Sequence, residues 1–430
     1  MQKTSATLNV SVINFAMSKS PLRILHLAPC RPDEQSYGLQ QRTLHVSRAL
    51  EQLGEVTVTV VGFDNRCGNP AGKQANEFQK YDFVELLEAP RRRLKERLGF
   101  WVDSRTPNPH GQVIDPSARV NLLESLENYD LVWVHHLRTA NVFQHWRWPR
   151  SVLDIDDLPS NFQRTAFLKG ESPKVRWKAG LQMLAWRRRE RFLAERFCVL
   201  AVCSEDDKKN LPKTAPVHVI PNGFERPGVE PYRALSNPPR IGFIGPLGYP
   251  PNLRGIQWFV KECWPRIKSR VPEARLRLVG KGSEGVMKPK GPDIDGLGWI
   301  ADTAQEIATW NLMIVPLHMG GGTRLKIAEG FSRKCPIVST TLGAYGYGVA
   351  DGRELLLADA PETFASACVE LMEQPAQGIA LAERAWRQFL DKWTWEIIEP
   401  RIIAAAEDGL RRSGQREARV ENTVLKAGGK

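Results

Sequence analysis

Between Met319 and Gly346 the chain reads MGGGTRLKIAEGFSRKCPIVSTTLGAYG. Gly320, Gly321 and Gly322 precede Thr323, and two cations, Arg324 and Lys326, follow at once. Glycines accept positive φ and let an anion approach the main chain closely. If a helix begins near Thr323, its unpaired first-turn N–H groups and the positive end of its dipole face that anion. Arg324 adds a fork for phosphate oxygens and Lys326 a point charge, while Thr323 can cap the helix or donate its hydroxyl. The loop reads as a phosphate site, and better as a diphosphate site. It has neither the GxxxxGK[ST] nor the GxGxxG spacing. Glu329 sits about one and a half turns into the same helix, where a carboxylate can accept hydrogen bonds from the vicinal hydroxyls of a ribose. The competing reading is a glycine turn with two solvated cations. A buried strand before the loop and a helix after it favour the anion.

The elements that must position these residues alternate regularly. Strands are predicted at LRILHLAP (22–29), VTVTVVGF (56–63), YDLVWVHH (129–136), SVLDIDD (151–157), FCVLAVCS (197–204) and VHVIPNG (217–223), with a helix over 38–54. Four prolines without periodicity mark residues 225–240 as a linker. The pattern then restarts with strands at 241–245, 275–280, 312–317, 335–340 and 354–359, separated by helices. This is an α/β chain of two doubly wound domains, residues 21–224 and 241–390. A leader over 1–20, a helical segment over 391–410 and an unstructured tail over 411–430 complete it. Open α/β sheets bind ligands at the carboxyl ends of their strands, so the cleft between two such domains is the expected place for a two-substrate reaction.

Composition narrows the class. The 430 residues are 42% apolar and 25% charged, as in ordinary globular chains, and no apolar run is long enough to cross a membrane. Seven cysteines without a CxxC pair or a Cys/His cluster suggest neither disulfides nor a metal site, and fit a reducing cytoplasm. Of the net charge of +12, the stretch from Asn161 to Arg196 carries ten basic residues against three glutamates. The same stretch bears Trp177 and Trp186. It reads either as a solvated helix with one buried face or as a basic aromatic surface resting on anionic lipid. No nucleic-acid-binding signature accompanies it, so nucleic acid is not expected as a partner.

The run from Gly320 to Gly346 resembles the donor-site signature of bacterial glycosyltransferases of the GT-B fold, family 4 type. VIPNGFE (219–225) is similar to that family's hinge segment, IGFIGPLGYPPNLRGIQWFVKECWPRI (241–267) to the opening of its donor domain, and LDIDDLPS (153–160) with VCSEDD (202–207) to its acceptor half. The resemblance spans Leu22 to about Ile403. It implies two Rossmann-like domains facing across a cleft, an acceptor-binding first domain and a nucleotide-sugar-binding second domain. It also implies retaining sugar transfer with a nucleotide-sugar as co-substrate, without a metal or other cofactor. The expected acceptor is a glycan or lipid-linked cell-envelope precursor. Residue by residue, Gly321, Gly322, Arg324 and Lys326 would hold the diphosphate, Glu329 the ribose, and Gly343 to Gly346 would lie near the nucleotide-sugar. Gly38 would approach the donor phosphates, and His136 would face the donor sugar. Arg42, Arg138 and Asp156 are candidates on the acceptor side.

Two departures stand out. Many members carry a first glutamate eight positions before the ribose carboxylate, where this chain has Gly321. Many also carry an Arg and a Lys after the first donor-domain strand, where this chain reads GPLGYPPN (245–252), so neutralisation should fall on Arg324 and Lys326. Asp154, Asp156 and Asp157 form an acidic cluster that reads as structural or acceptor-facing. The rival functions are a GT-B sugar-nucleotide epimerase or hydrolase, and a binding protein of the same fold without turnover.

Overall fold

The computed structural model describes residues 21–32, 38–62, 81–88, 99, 101, 103–107, 112–170, 172–285 and 291–428. The expected leader over 1–20 lies outside them. The first domain contains β1 (Leu22–Ala28), α1 (Gly38–Glu51), β2 (Gly54–Val61), β3 (Tyr81–Val84), β4 (Leu86–Glu88), β5 (Gln112–Ile114), α2 (Pro116–Ser125) and β6 (Leu131–His135). It continues with α3 (Leu137–Val142), β7 (Ser151–Ile155), α4 (Pro159–Lys169), α5 (Pro173–Glu190), α6 (Leu193–Arg196), β8 (Val199–Val202), α7 (Glu205–Lys208) and β9 (Val217–Val219). Seven of its strands form one parallel sheet in the order β3-β2-β1-β6-β7-β8-β9, and β4 and β5 pair as a small antiparallel ribbon.

The second domain contains β10 (Arg240–Ile244), α8 (Pro250–Trp258), α9 (Trp264–Arg270), β11 (Arg275–Val279), β12 (Ile294–Gly298), α10 (Ala304–Ala308) and β13 (Leu312–Val315). After these come α11 (Leu325–Ser332), β14 (Ile337–Ser339), β15 (Leu356–Leu357), α12 (Pro361–Glu373), α13 (Pro375–Lys392) and α14 (Trp395–Gly428). Its sheet is parallel throughout, in the order β12-β11-β10-β13-β14-β15. Strands such as LVWVH and LMIV are apolar at nearly every position because both faces of each sheet are covered.

The last helix departs from the sequence reading twice. It runs without a break from Trp395 to Gly428, taking in the segment expected to be an unstructured tail. The helix formers Arg, Lys, Glu, Gln, Ala and Leu make up more than half of that segment and no proline interrupts it after Pro400, so helix propensity favours continuation. The helix also packs on the first domain. Trp395, Ile398, Ile402, Ala405 and Ala406 are buried with Ile24, Leu50, Trp133, Val152 and Ala201. Trp395 stacks on His45 at 4.1 Å, and His45 bonds Glu399 at 2.8 Å. The chain therefore crosses between domains twice, and Phe224 pairs with Thr394 where the crossings meet.

Candidate functional site

In the second domain the main chain leaves β13, makes the glycine loop and enters α11. Gly320 and Gly322 have φ of 118° and 67°, a region open to glycine at little cost. Arg324, not Thr323, occupies the cap position of α11. Its Nη1 donates to the carbonyls of Gly321 and Gly322, while its buried Nη2 has no hydrogen-bond partner. Thr323 turns to the hinge, where its Oγ1 accepts from Asn222 Nδ2 at 3.1 Å. Lys326 reaches back over β10. Its Nζ lies 3.9 Å from the centre of the Phe243 ring and donates to Asn252 Oδ1 at 2.9 Å. Burial, with Arg324 nearby, holds the Lys326 pKa well below the usual lysine value. Glu329 accepts from Thr303 Oγ1 at 2.5 Å, and burial raises its carboxyl pKa. An anion in the loop would add to the negative charge that Asp157 and Glu329 bring near Arg324 and Lys326.

The first domain answers with the ends of β6 and β7. His136 follows β6 in a left-handed conformation, φ 74°, with its N–H donating to the Asp154 carbonyl at 2.8 Å. A non-glycine residue held there costs about 1–3 kcal/mol and is typical of functional sites. Its Nε2 lies 3.4 Å from Asp156 Oδ2. Burial opposes its charge, but the hydrogen bond and charge of Asp156 prevail and leave its pKa raised. Asp156 loses stability as a carboxylate through burial, yet His136 and Arg42 hold its pKa well below normal. His135, His136 and Asp156 bring three possible metal-ligand atoms within 4.8 Å. Asp156, however, is already shared among His136, Cys203, Asn222 and the Arg42 guanidinium 3.7 Å away.

Asp157 goes a different way. Its carboxylate presses on the glycine loop. A methyl group on Gly322 would overlap Asp157 Oδ1, and one on Gly321 would stand 3.1 Å from its Cγ. Burial pushes the Asp157 pKa up to about 6 despite the opposing charge of Arg324.

One acceptor-side candidate is corrected. Arg42 is fully buried, forking onto Asp154 at 2.9 and 2.5 Å and donating to Pro221 O and Asn222 Oδ1. It lies on α1 beneath the strand ends, and its charge is spent on Asp154, so it offers nothing to a substrate. Arg138 remains exposed and donates to Gln112 Oε1 at 2.7 Å. Gly38 lies at the start of α1, its α-carbon face against Leu325 in the opposite domain. Gly343 is buried, donating its N–H to Thr340 Oγ1 at 2.9 Å, whereas Gly346 lies in the seam against Thr323 and Ser204.

Several bonds close the seam. Tyr345 Oη donates to Asp207 Oδ1 at 3.0 Å, Asn161 Nδ2 donates to Tyr345 Oη at 3.4 Å, and Gly320 N donates to Thr165 Oγ1 at 3.2 Å.

Residues 238–374 match the family model described as glycosyl transferases group 1. That segment holds β10 to β15, the glycine loop, Arg324, Lys326 and Glu329. The match is confined to the second domain. The whole chain has the GT-B fold: it overlays a sucrose-phosphate synthase from Thermosynechococcus elongatus with a TM-score of 0.61 at 13% identity, covering 94% of this chain and 100% of that one. Anabaena HepE in complex with UDP and glucose overlays with a TM-score of 0.56 at 12% identity, covering 89% and 98%. In sequence, the chain is 26% identical over 200 residues to an uncharacterized 44.6 kDa protein in the cps region of Klebsiella pneumoniae. That match covers 43% of this chain and 50% of the relative. It is 22% identical over 201 residues to the phosphatidyl-myo-inositol mannosyltransferase of Mycolicibacterium smegmatis, covering 44% and 51%. The chain thus spans about half the length of the curated relatives it matches.

Within this GT-B frame, Asn252, Asp207 and Tyr345 are site-lining residues that motif reasoning missed. Asn252 stands on α8, inside the GPLGYPPN segment where many family members place cations, and it brings Lys326 to that spot from α11. Pro250 and Pro251 open that helix, and nothing in the spacing marked the Asn252 side chain. The basic stretch is a helical hairpin, α4 and α5, with Trp177 68% exposed and Leu184 55% exposed. Trp186, by contrast, is buried in the core, and buried Arg189 bonds the carbonyls of Thr106 and Asp103. Neither of these two is available to a membrane. No helix among the described residues is long and apolar enough to cross one.

Proposed function

We propose that the protein transfers a sugar from a nucleoside-diphosphate donor to a hydroxyl of a glycan or lipid-linked cell-envelope acceptor, with retention of configuration. The observation that carries this reading is the anion site behind the glycine loop. Two cations stand there on the first turn of α11, and the buried Arg324 Nη2 has no partner. The group 1 family match over the same residues supports it, as does the UDP in the HepE complex of the same fold.

In the reaction, the bond between the anomeric carbon and the diphosphate oxygen breaks and its electron pair stays with the diphosphate. The acceptor oxygen bonds the anomeric carbon on the same face, and its proton passes to the departing diphosphate. Arg324, Lys326 and the α11 N–H groups stabilise the charge that develops on that diphosphate. Glu329 holds the ribose, and His136, its pKa raised by Asp156, faces the donor sugar. This chemistry needs no metal or organic cofactor. The exposed face of the α4–α5 hairpin rests on the inner, anionic surface of the cytoplasmic membrane.

A second reading, donor hydrolysis or epimerisation, is favoured by one observation: Asp156, Asp157 and His136 do converge in the cleft. The test uses labelled UDP-, GDP-, TDP- and ADP-sugars with and without a bacterial lipid extract. Transfer requires label to move into the lipid phase only when extract is present. Diphosphate release or sugar isomerisation that ignores the extract would replace transfer with the second reading. Nucleotide binding without turnover would make the protein a binding module.

A further inference from the structure

The glycine loop, which follows β13, has a different neighbourhood on each side. Lys326 over Phe243 of β10, Asn252 after β10, and Glu329 with Thr303 after β12 all lie on one side, where the sheet runs β10-β11-β12. On the other side, over the ends of β14 and β15, the two domains enclose a cavity of about 290 Å³. Arg164, Leu168 and Lys169 of α4 line it from the first domain, and His318, Thr341 and Leu342 from the second. Gly320 and Gly321 form the wall it shares with the anion site.

The chemistry of that lining is cationic and apolar. Arg164 and Lys169 bring two positive charges. The facing carboxylate, Asp359, is already engaged by Thr341, which donates its N–H at 2.9 Å and its hydroxyl at 2.7 Å. His318 Nε2 is sealed from solvent without a hydrogen-bond partner. Burial, and then Lys169, lower the His318 pKa, so the ring stands neutral beside the two cations. The apolar wall does not stop at the rim. Leu168 lines the cavity while remaining 52% exposed, on the hairpin that also exposes Phe167, Trp177, Leu181 and Leu184.

We propose that this cavity is the acceptor subsite, and that it takes the phosphate-bearing head of a membrane-anchored acceptor whose apolar tail leaves along the α4–α5 hairpin. The proposal rests on the glycosyltransferase reading. Arg164 and Lys169 neutralise the acceptor phosphate, and the shared wall at Gly320 and Gly321 brings that head beside the donor diphosphate. Charge complementarity selects the phosphate. Continuity of the cavity with the apolar hairpin face selects a lipid-linked one.

Octyl phosphate, inorganic phosphate and octyl glucoside, titrated calorimetrically into the full chain, test this. Octyl phosphate should bind at least tenfold more tightly than either of the others. Arg164→Ala with Lys169→Ala should weaken it at least tenfold, and Leu342→Trp, which fills the cavity, should abolish it. Both proteins should keep their UDP, GDP, TDP or ADP affinity within twofold of wild type, which also reports that they are folded. Equal affinity for inorganic phosphate would make this a free-phosphate site, and equal affinity for octyl glucoside a plain apolar contact. Indifference to Leu342→Trp would place the binding elsewhere. Each of these results overturns the proposal. A wild-type protein that binds none of the four nucleoside diphosphates would instead sink the glycosyltransferase reading, and the octyl phosphate titration would still judge the cavity.

Discussion

Replacing Asp157 by asparagine should tighten the binding of a bare nucleoside diphosphate, and the gain should depend on pH. The Asp157 carboxylate leans on Gly321 and Gly322, the loop that a diphosphate must occupy. Two unit charges about 5 Å apart at an effective dielectric near 20 repel by roughly 3 kcal/mol. The cleft is partly open to water, so about half of that, or about tenfold in affinity, is the expected effect. The sign follows from titration. Burial raises this carboxyl to about 6, so it is mostly neutral below that pH and charged above it. An anion prefers the neutral form, so wild-type affinity should fall as pH rises through about 6, and binding near neutrality should take up a proton. The ligand's terminal phosphate also titrates near about 6, but it does so for both proteins, so the difference between them isolates Asp157. Isothermal titration with UDP, or whichever nucleoside diphosphate binds, should show Asp157→Asn about tenfold tighter at about pH 8 and within about twofold of wild type at about pH 5. Parallel pH curves for the two proteins, or a weaker variant at high pH, would refute the reasoning.

Arg324→Ala or Lys326→Ala should each lower transfer by a factor corresponding to about 2–4 kcal/mol of transition-state stabilisation, with the fold intact by circular dichroism. Glu329→Gln should weaken a nucleoside diphosphate more than inorganic pyrophosphate, and equal losses by calorimetry would remove the ribose contact. Arg42→Ala leaves buried Asp154 unpaired and should cost about 3–5 kcal/mol of first-domain stability in urea melts, not a change in acceptor KM. Lys174→Glu with Lys178→Glu and Trp177→Ser should abolish co-sedimentation with anionic vesicles, at about 1 kcal/mol per lysine lost, while leaving donor hydrolysis unchanged.

The parallel strands were legible because burial on both faces leaves continuous apolar runs, as in LRILHLA and LMIV. Strand β12, IDGLG, escaped because two glycines and an aspartate break such a run, although it pairs regularly with β11 as far as Leu278. In the site, the loop and its cations were legible because they are local in sequence. What was not legible depends on which face of an element a side chain takes, or on contacts far along the chain. Arg42 and Asp154 lie 112 positions apart and form one buried pair. Trp177 and Trp186 sit on one helix, but one faces solvent and the other the core. Composition weighs such residues equally, and only packing separates them.

The acidic run DIDD shows the same logic inside the cleft. Asp154 turns inward to neutralise Arg42, Asp156 turns to His136, and Asp157 points across to the opposite domain. Asp154 and Asp156, two residues apart, lie on one side and both face Arg42, while Asp157 turns to the other, so the neighbouring carboxyls differ in surroundings. Those surroundings set Asp156 well below the usual range and Asp157 well above it. The glycines at 321 and 322 leave room for Asp157, so one carboxylate from the first domain stands where the second domain has no side chain of its own. An anion in that loop would lie against Asp157 as well as Arg324. On the proposed function, donor binding is thereby tied to the first domain as well as the second.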